Sequence, residues 1–252
     1  MPFKYSYLLP IFQGIHYVLT FTATYTLAAF VNKDIPSFFP YVSDTGARFI
    51  QSCIFSFGLG LGSLIMFLIF YLRYIQVKFI LQENKEFPMK LRKLNKISVY
   101  TSAISTLHVF GVGCFQVYPY LYTHLYFAGM AFHFGLLSMA SQTYIAFKIY
   151  PIFGNKILNL IRLVLLIILC LALASTGIFG LLSFLIFFKG DDVTQWTRLS
   201  GGFELHLIST FSEWILIMGT VLFLTLYAFE FKSFDLYEPK IEMTVDKTVV
   251  DI

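Results

Sequence analysis

KISVYTSAISTLHVFGVGCFQVYPYLYTHLYFAGMAFHFGLLSMASQTYIAFK, residues 96 to 148, decides how this chain folds. No formally charged side chain lies between Lys96 and Lys148. A single helix through the run would extend on the order of 75 Å at 1.5 Å per residue, more than twice the bilayer's hydrocarbon core. A break is required, and Tyr118-Pro119-Tyr120 supplies it, because proline lacks an amide donor and disfavours helix at the residue before it. The run therefore reads as two membrane helices.

The rest of the chain repeats the pattern. Of its 252 residues, 58% are hydrophobic and 13% are Asp, Glu, Lys or Arg, about half the charge of a soluble domain. Mean hydropathy is +0.74. Further charge-free runs link Lys4 to Lys33, Arg48 to Arg73 and Arg162 to Lys189, and a run from Glu204 to Glu230 is interrupted only by Glu213. Each fits one helix of about 20 residues. The expectation is an all-α polytopic membrane protein with six helices, at about 7–31, 49–72, 97–117, 123–147, 160–188 and 205–229. A disordered cytosolic tail is expected over 233–252.

An even helix count puts both termini on one side. That side carries Lys4, Arg73, Lys78, Lys85, Lys90, Arg92, Lys93, Lys96, Lys148, Lys156, Arg162, Lys232, Lys240 and Lys247, against Lys33, Arg48, Lys189 and Arg198 on the other. These are 14 and 4 of the 18 basic residues, and the bias places both termini in the cytosol. The first helix is too long for a signal-peptide core and reads as an uncleaved anchor. The segment 73–96 reads as a basic cytosolic loop. It serves either topology alone or attraction to anionic lipids as well, and nothing calls for nucleic acid.

Phe38-Phe39-Pro40-Tyr41-Val42-Ser43-Asp44-Thr45-Gly46, in the first non-cytosolic loop, contains the Asp-Thr-Gly of aspartic proteases. Those enzymes need two such turns on β-lobes so that two carboxylates share a proton. This chain has one, between two membrane helices, so the protease reading fails. The plainer reading is a turn. Ser43 and Asp44 bond nearby amides, Gly46 accepts positive φ, and Asp44 or Thr45 caps the second helix.

Gly58, Gly60 and Gly62 lie inside an apolar helix, the wrong context for phosphate binding, and Gly58 with Gly62 reads as a close-packing face. Glu213 is an intramembrane carboxylate and so a functional candidate. His206 lies two turns earlier on the same face, and His16, His108, His124 and His133 are also intramembrane. Three roles stand open: interhelical hydrogen bonding, a proton relay or a metal site. No His-Glu-x-x-His spacing supports the metal, and no cofactor is expected. Cys53, Cys114 and Cys170 lie in apolar runs, and a bridge between Cys53 and Cys114 stays open.

The ordered motifs resemble a known family. Phe39 to Gly46 is similar to its Pro-x-Ile-Ser-Asp-Thr-Gly signature, and Tyr71-Leu72-Arg73-Tyr74-Ile75-Gln76-Val77 to its Tyr-x-Arg-Tyr-x-Gln-Val. Leu94-Asn95-Lys96, Phe115-Gln116, then His124, Phe132, Gly135 and Gln142, Ile161-Arg162-Leu163, Trp196, His206, Glu213-Trp214 and Phe231-Lys232 follow in order. Together they resemble the damage-regulated autophagy modulator (DRAM) family of the Frag/DRAM/Sfk group, over about residues 10–235. Ala47-Arg48-Phe49 departs from the family's proline-rich sequence, and His133 stands where glycine is expected.

The resemblance implies a non-enzymatic autophagy regulator in the lysosomal membrane, with Golgi, ER or plasma membrane as alternatives. It also implies membrane lipids and other membrane proteins as partners. A lipid-handling protein and a channel or transporter are the competing readings. The candidate residues are Ser43, Asp44, Thr45, Gly46, Gln116, His124, Gln142, His206, Glu213 and Trp214.

Overall fold

The computed structural model describes residues 4–36, 38–84, 86–189, 192–235 and 237. Most of the tail expected over 233–252 lies outside them. Among the described residues there is no strand. The long helices are α1 (Leu8–Tyr25), α2 (Gln51–Glu83), α3 (Met89–Cys114), α4 (Leu121–Ile149), α5 (Lys156–Leu182) and α6 (Phe203–Thr225), with a short α7 (Tyr227–Phe231) after α6. α1 and α5 each end in a π turn, Thr26–Val31 and Ser183–Phe187.

Five of these segments are long and apolar enough to cross a membrane. α4, with 29 residues, is as long, but His124, His133, Ser138, Ser141 and Gln142 dilute its apolarity. The chain is a multi-pass helical membrane protein. Each long helix packs on the next, and α1 packs on α6, so the bundle closes into a ring. Apolar side chains such as Ile167, Leu171, Ile178 and Leu185 face outward, whereas Ser98, Ser102, Ser105 and Ser138 are buried. That distribution suits a chain whose solvent is lipid, where small polar residues hold helices together.

Two glycines let α1 meet α2. A Cβ on Gly58 would lie 2.3 Å from the Thr20 side chain, and one on Gly62 would lie 2.5 Å from the Tyr17 ring. The gap is also bonded: His16 Nε2 meets the Gly58 carbonyl at 2.8 Å, and Gln13 Nε2 donates to the Gly62 carbonyl at 2.8 Å.

Residues 73–96 are not a loop. α2 continues to Glu83 and α3 begins at Met89, leaving only a short turn between them. The apolar residues interspersed with the charges explain this, because Val77, Ile80, Leu81 and Leu91 pack against Ile145 and Ile149 of α4. Lys78, Lys90, Lys93 and Lys96 remain exposed, but Arg73 is wholly buried. Cys53, Cys114 and Cys170 are free thiols, so the Cys53–Cys114 bridge is not formed.

Arg73 belongs to a charge cluster at the end of the bundle that carries the termini. Glu230 of α7 receives two hydrogen bonds from Arg162 of α5, at 2.8 and 2.5 Å, and lies 3.2 Å from Arg73 Nη2. Arg73 donates to Gln76 at 2.7 Å and to Gln142 at 3.2 Å, and Gln142 Nε2 passes the chain on to Asn95 and Ser98 of α3, both at 3.0 Å. The Tyr227 ring faces both guanidinium groups. All three charges are almost wholly inaccessible. Five helices thus share one network, and removing one member leaves a buried charge without its counter-ion. Glu230→Ala is expected to destabilise the bundle by about 3–5 kcal/mol, measured by reversible unfolding in detergent or bicelles, and to do more damage than Lys78→Ala on the exposed face.

Candidate functional site

The opposite end is closed by the connection between α1 and α2, folded inward over the ring. Its base is pinned where Asn32 donates to Gln51 Oε1 at 2.9 Å and Gln51 donates to Asp34 at 2.5 Å. Its middle lies against α6. Phe39 stacks on Phe211 with ring centroids 3.7 Å apart, Trp214 Nε1 donates to the Pro40 carbonyl at 2.9 Å, and the Tyr41 hydroxyl donates to Ser209 at 2.6 Å. The Val42 amide adds a tie to a carboxylate, donating to Glu213 Oε2 at 2.6 Å.

Glu213 therefore acts on backbone, not on a histidine. His206 shares its helix face but is spent differently: Trp196 stacks on it with centroids 4.2 Å apart, and the Tyr41 ring meets it edge-on at 5.0 Å. The other histidines are dispersed. His108 and His133 bond carbonyls of their own helices, and His124 Nδ1 meets the Phe115 carbonyl at 2.6 Å, closing the α3–α4 turn. Among the described residues no group of three His, Cys, Asp or Glu side chains is placed to hold a metal ion.

Asp44–Gly46 forms a single 3-10 turn, buried throughout. The expected cap of the second helix is not made. α2 starts at Gln51 after Ile50, with no side-chain cap, because Ala47–Ile50 separates the turn from the helix. Asp44 instead accepts from the Tyr41 amide at 3.1 Å, three residues back. Thr45 bonds the Val42 carbonyl at 2.6 Å and Thr24 of α1 at 2.9 Å. Gly46 has no positive φ. It is required for space, since a Cβ there would lie 2.3 Å from the Phe55 ring.

The α5–α6 connection clasps this loop from outside. Arg48 pairs with Asp192 and reaches Thr194 at 3.3 Å, and Gln195 donates to the Asp34 carbonyl. Asp44, Thr194, Trp196 and His206 border a cleft of about 10 Å³, near the room one water needs. Burial pushes the Asp44 carboxyl above the usual carboxylate range; nearby Glu213 adds to this, the Tyr41 amide opposes it, and Asp192 adds again.

Beneath the loop lies a larger, partly open cavity of about 100 Å³, bordered by Ser43 and Glu213 at the loop and by residues of α1, α2, α3, α4 and α6. Ser43, Asp44, Thr45, Gly46, His206, Glu213 and Trp214 thus converge at one end, with His124 on the cavity wall. Gln116 is apart from them, bonding Ser56 at 3.2 Å and the Gly113 carbonyl at 3.3 Å. Gln142 sits in the charge cluster at the far end. Tyr41, Ser209, Arg73, Arg162 and Glu230 were not singled out from sequence. Tyr41, Arg73 and Arg162 do lie inside the family motifs, with Arg73 and Gln76 on one helix face, whereas nothing in the sequence marks Ser209 or Glu230.

A closed ring of lipid-facing helices, with its polar groups turned inward and a folded loop over one end, defines a polytopic helical membrane protein. The chain belongs to the Frag1/DRAM/Sfk1/Cwh43P N-terminal domain family, whose pattern matches residues 5–234. It is similar to DNA damage-regulated autophagy modulator protein 2 of Homo sapiens, 26% identical over 244 residues, covering 89% of this chain and 86% of the relative. Protein 1 of the same name from Xenopus laevis is 24% identical over 213 residues, covering 84% and 85%. Modulator of macroautophagy TMEM150B-B of Xenopus laevis is 27% identical over 197 residues, covering 78% and 73%. No solved structure matches the chain.

Two predictions test the loop. Glu213→Leu leaves the Val42 amide without an acceptor, at a cost of about 1–3 kcal/mol. Hydrogen exchange over residues 38–46 should accelerate, while Glu213→Gln, which keeps an acceptor, preserves protection. The second concerns pH. The folded Asp44 carboxyl binds its proton more tightly than the unfolded one, whose pKa is about 3.9. Loop stability is therefore greatest below that value and falls as pH rises through the folded pKa. Both tryptophans of the chain contact the loop or His206 behind it, so their fluorescence should report a tighter loop in acid, and Asp44→Asn should flatten that dependence.

Proposed function

We propose that this chain is a non-enzymatic, multi-pass modulator of autophagy in the lysosomal or endomembrane system, with both termini cytosolic. The observation that carries this reading is the match along almost the whole membrane bundle to relatives named as autophagy modulators. The site chemistry is compatible with it: Glu213 and Asp44 each accept from a backbone amide of the loop they hold. A folded, clasped loop on the lumenal side would present a fixed surface to a partner. The exposed Lys78, Lys90, Lys93 and Lys96 at the other end would face the anionic cytosolic leaflet.

The test is cellular. Loss of the protein should slow autophagosome-marker turnover, re-expression should restore it, and a tagged copy should co-purify with lysosomal membranes. Tags at either terminus should be reachable from the cytosol without permeabilising the organelle. Unchanged marker flux in null cells would refute the reading. Lipid handling is the second reading, favoured by the cavity under the loop; lipidomics of null cells, with an altered lipid class as the expected result, tests it.

A further inference from the structure

The cavity is walled largely by apolar side chains, among them Phe55, Leu59, Val112, Ala128 and Ile217. Its few polar neighbours are mostly spent. Ser105 donates to the Ala131 carbonyl at 2.7 Å, Thr220 to the Leu216 carbonyl at 2.8 Å, and His124 bonds the Phe115 carbonyl. Glu213 differs. An ionised carboxylate offers about four lone-pair sites, the loop amides of Val42 and Ser43 approach it from one side, and it is only half-buried where it borders the cavity. The Tyr17 hydroxyl also borders the space, but the charged capacity is the Glu213 carboxylate at one end, and among the described residues no lysine or arginine lines the space to balance an anion.

We propose that this cavity is a binding site for a single-chain amphiphile whose head donates hydrogen bonds, a long-chain amine or alcohol. Its head meets the Glu213 carboxylate beneath the first loop, and the adjoining chain segment lies between α4 and α6. The inference rests on the lipid-handling reading and not on the autophagy reading. Size selects the ligand: about 100 Å³ lies far above the room for one water and near the 150 Å³ that accommodates a benzene ring. One hydrocarbon chain segment fills it, and a second chain would have to lie outside. Charge selects the head, because a fatty-acid carboxylate would face Glu213 with no cation to offset the repulsion.

The test uses the full chain in nanodiscs with photoactivatable, clickable sphingosine, hexadecanol and palmitic acid. Sphingosine or hexadecanol should crosslink to peptides of α4 and α6 at the cavity and exceed palmitic acid by about tenfold, the value of one charge-assisted hydrogen bond. Sphingosine carries hydroxyls as well as its amine, so labelling by sphingosine well above hexadecanol assigns the ammonium as the preferred donor, and equal labelling assigns the hydroxyl. Ala128→Phe, which fills the cavity, should abolish specific labelling, whereas Ile217→Ala, which enlarges it, should retain or raise it. Glu213→Gln should erase the preference over palmitic acid. Crosslinks confined to the outward faces of the helices would overturn the proposal. So would palmitic acid labelling as strongly as the others, or labelling indifferent to both Ala128→Phe and Ile217→Ala. The lipid-handling reading fails separately, if null cells keep a normal lipid profile while the purified protein still binds.

Discussion

A carboxylate held between two guanidinium groups, all of them out of contact with solvent, is the constraint on which this bundle turns. Glu230 joins Arg162 of α5 to Arg73 of α2, and Gln142 and Asn95 extend the network to α4 and α3. An Arg–Glu–Arg set carries a net positive charge, and a low-dielectric interior penalises it unless each donor is occupied. The aromatic face of Tyr227 and the Leu226 carbonyl share in that task. Because the partners come from different helices, the network tolerates only one register of α2, α5 and α7. Charge here specifies geometry where apolar packing against lipid would not.

The second buried carboxylate works by another rule. Glu213 meets no cation; its visible partner is a backbone amide. Such an amide in a folded-in loop would otherwise be left without an acceptor, since the loop has no ladder or helix to supply one. Placing the acceptor on a rigid helix fixes where the loop lies, and Trp214, Tyr41 and Phe39 then set its tilt. Arg48 with Asp192 adds a clasp across the outside, exposed enough that its energetic weight is small.

Much of this was legible in the sequence because absence of charge is a strong signal. Four uninterrupted runs, a fifth broken only by Glu213, and a proline in the longest mark the helices, and Glu213 stands out as the one carboxylate inside them. The Gly58–Gly62 spacing likewise reads directly as close packing, since α1 lies on those glycines. What was not legible depends on pairing across distance. Counting basic residues by side treats Arg73 and Arg162 like Lys78, yet two of these are buried and one is exposed. Nothing local to Arg162 announces Glu230, 68 positions away. The Asp-Thr-Gly turn misled for a related reason. Its residue types suit a helix cap, but the ring of Phe55 and the intervening Ala47–Ile50 decide its role, and both are facts of packing.

The cavity follows from having both ends fixed. At one end the charge network draws α2, α3, α4, α5 and α7 together; at the other, the loop ties α6 to α1 and α2 through Glu213, Thr24 and Gln51. Between them, residues of α1, α2, α3, α4 and α6 line the open space, and no residue of α5 reaches it. A ring pinned at its rims fills its middle only if the side chains there are large enough, and Ala128, Ala131 and Gly135 on α4 are small. Small residues where the helix faces the middle of the ring leave room. The same Asp-Thr-Gly loop that resembles a protease turn is then the cover of that room, with its carboxylate turned to its own backbone.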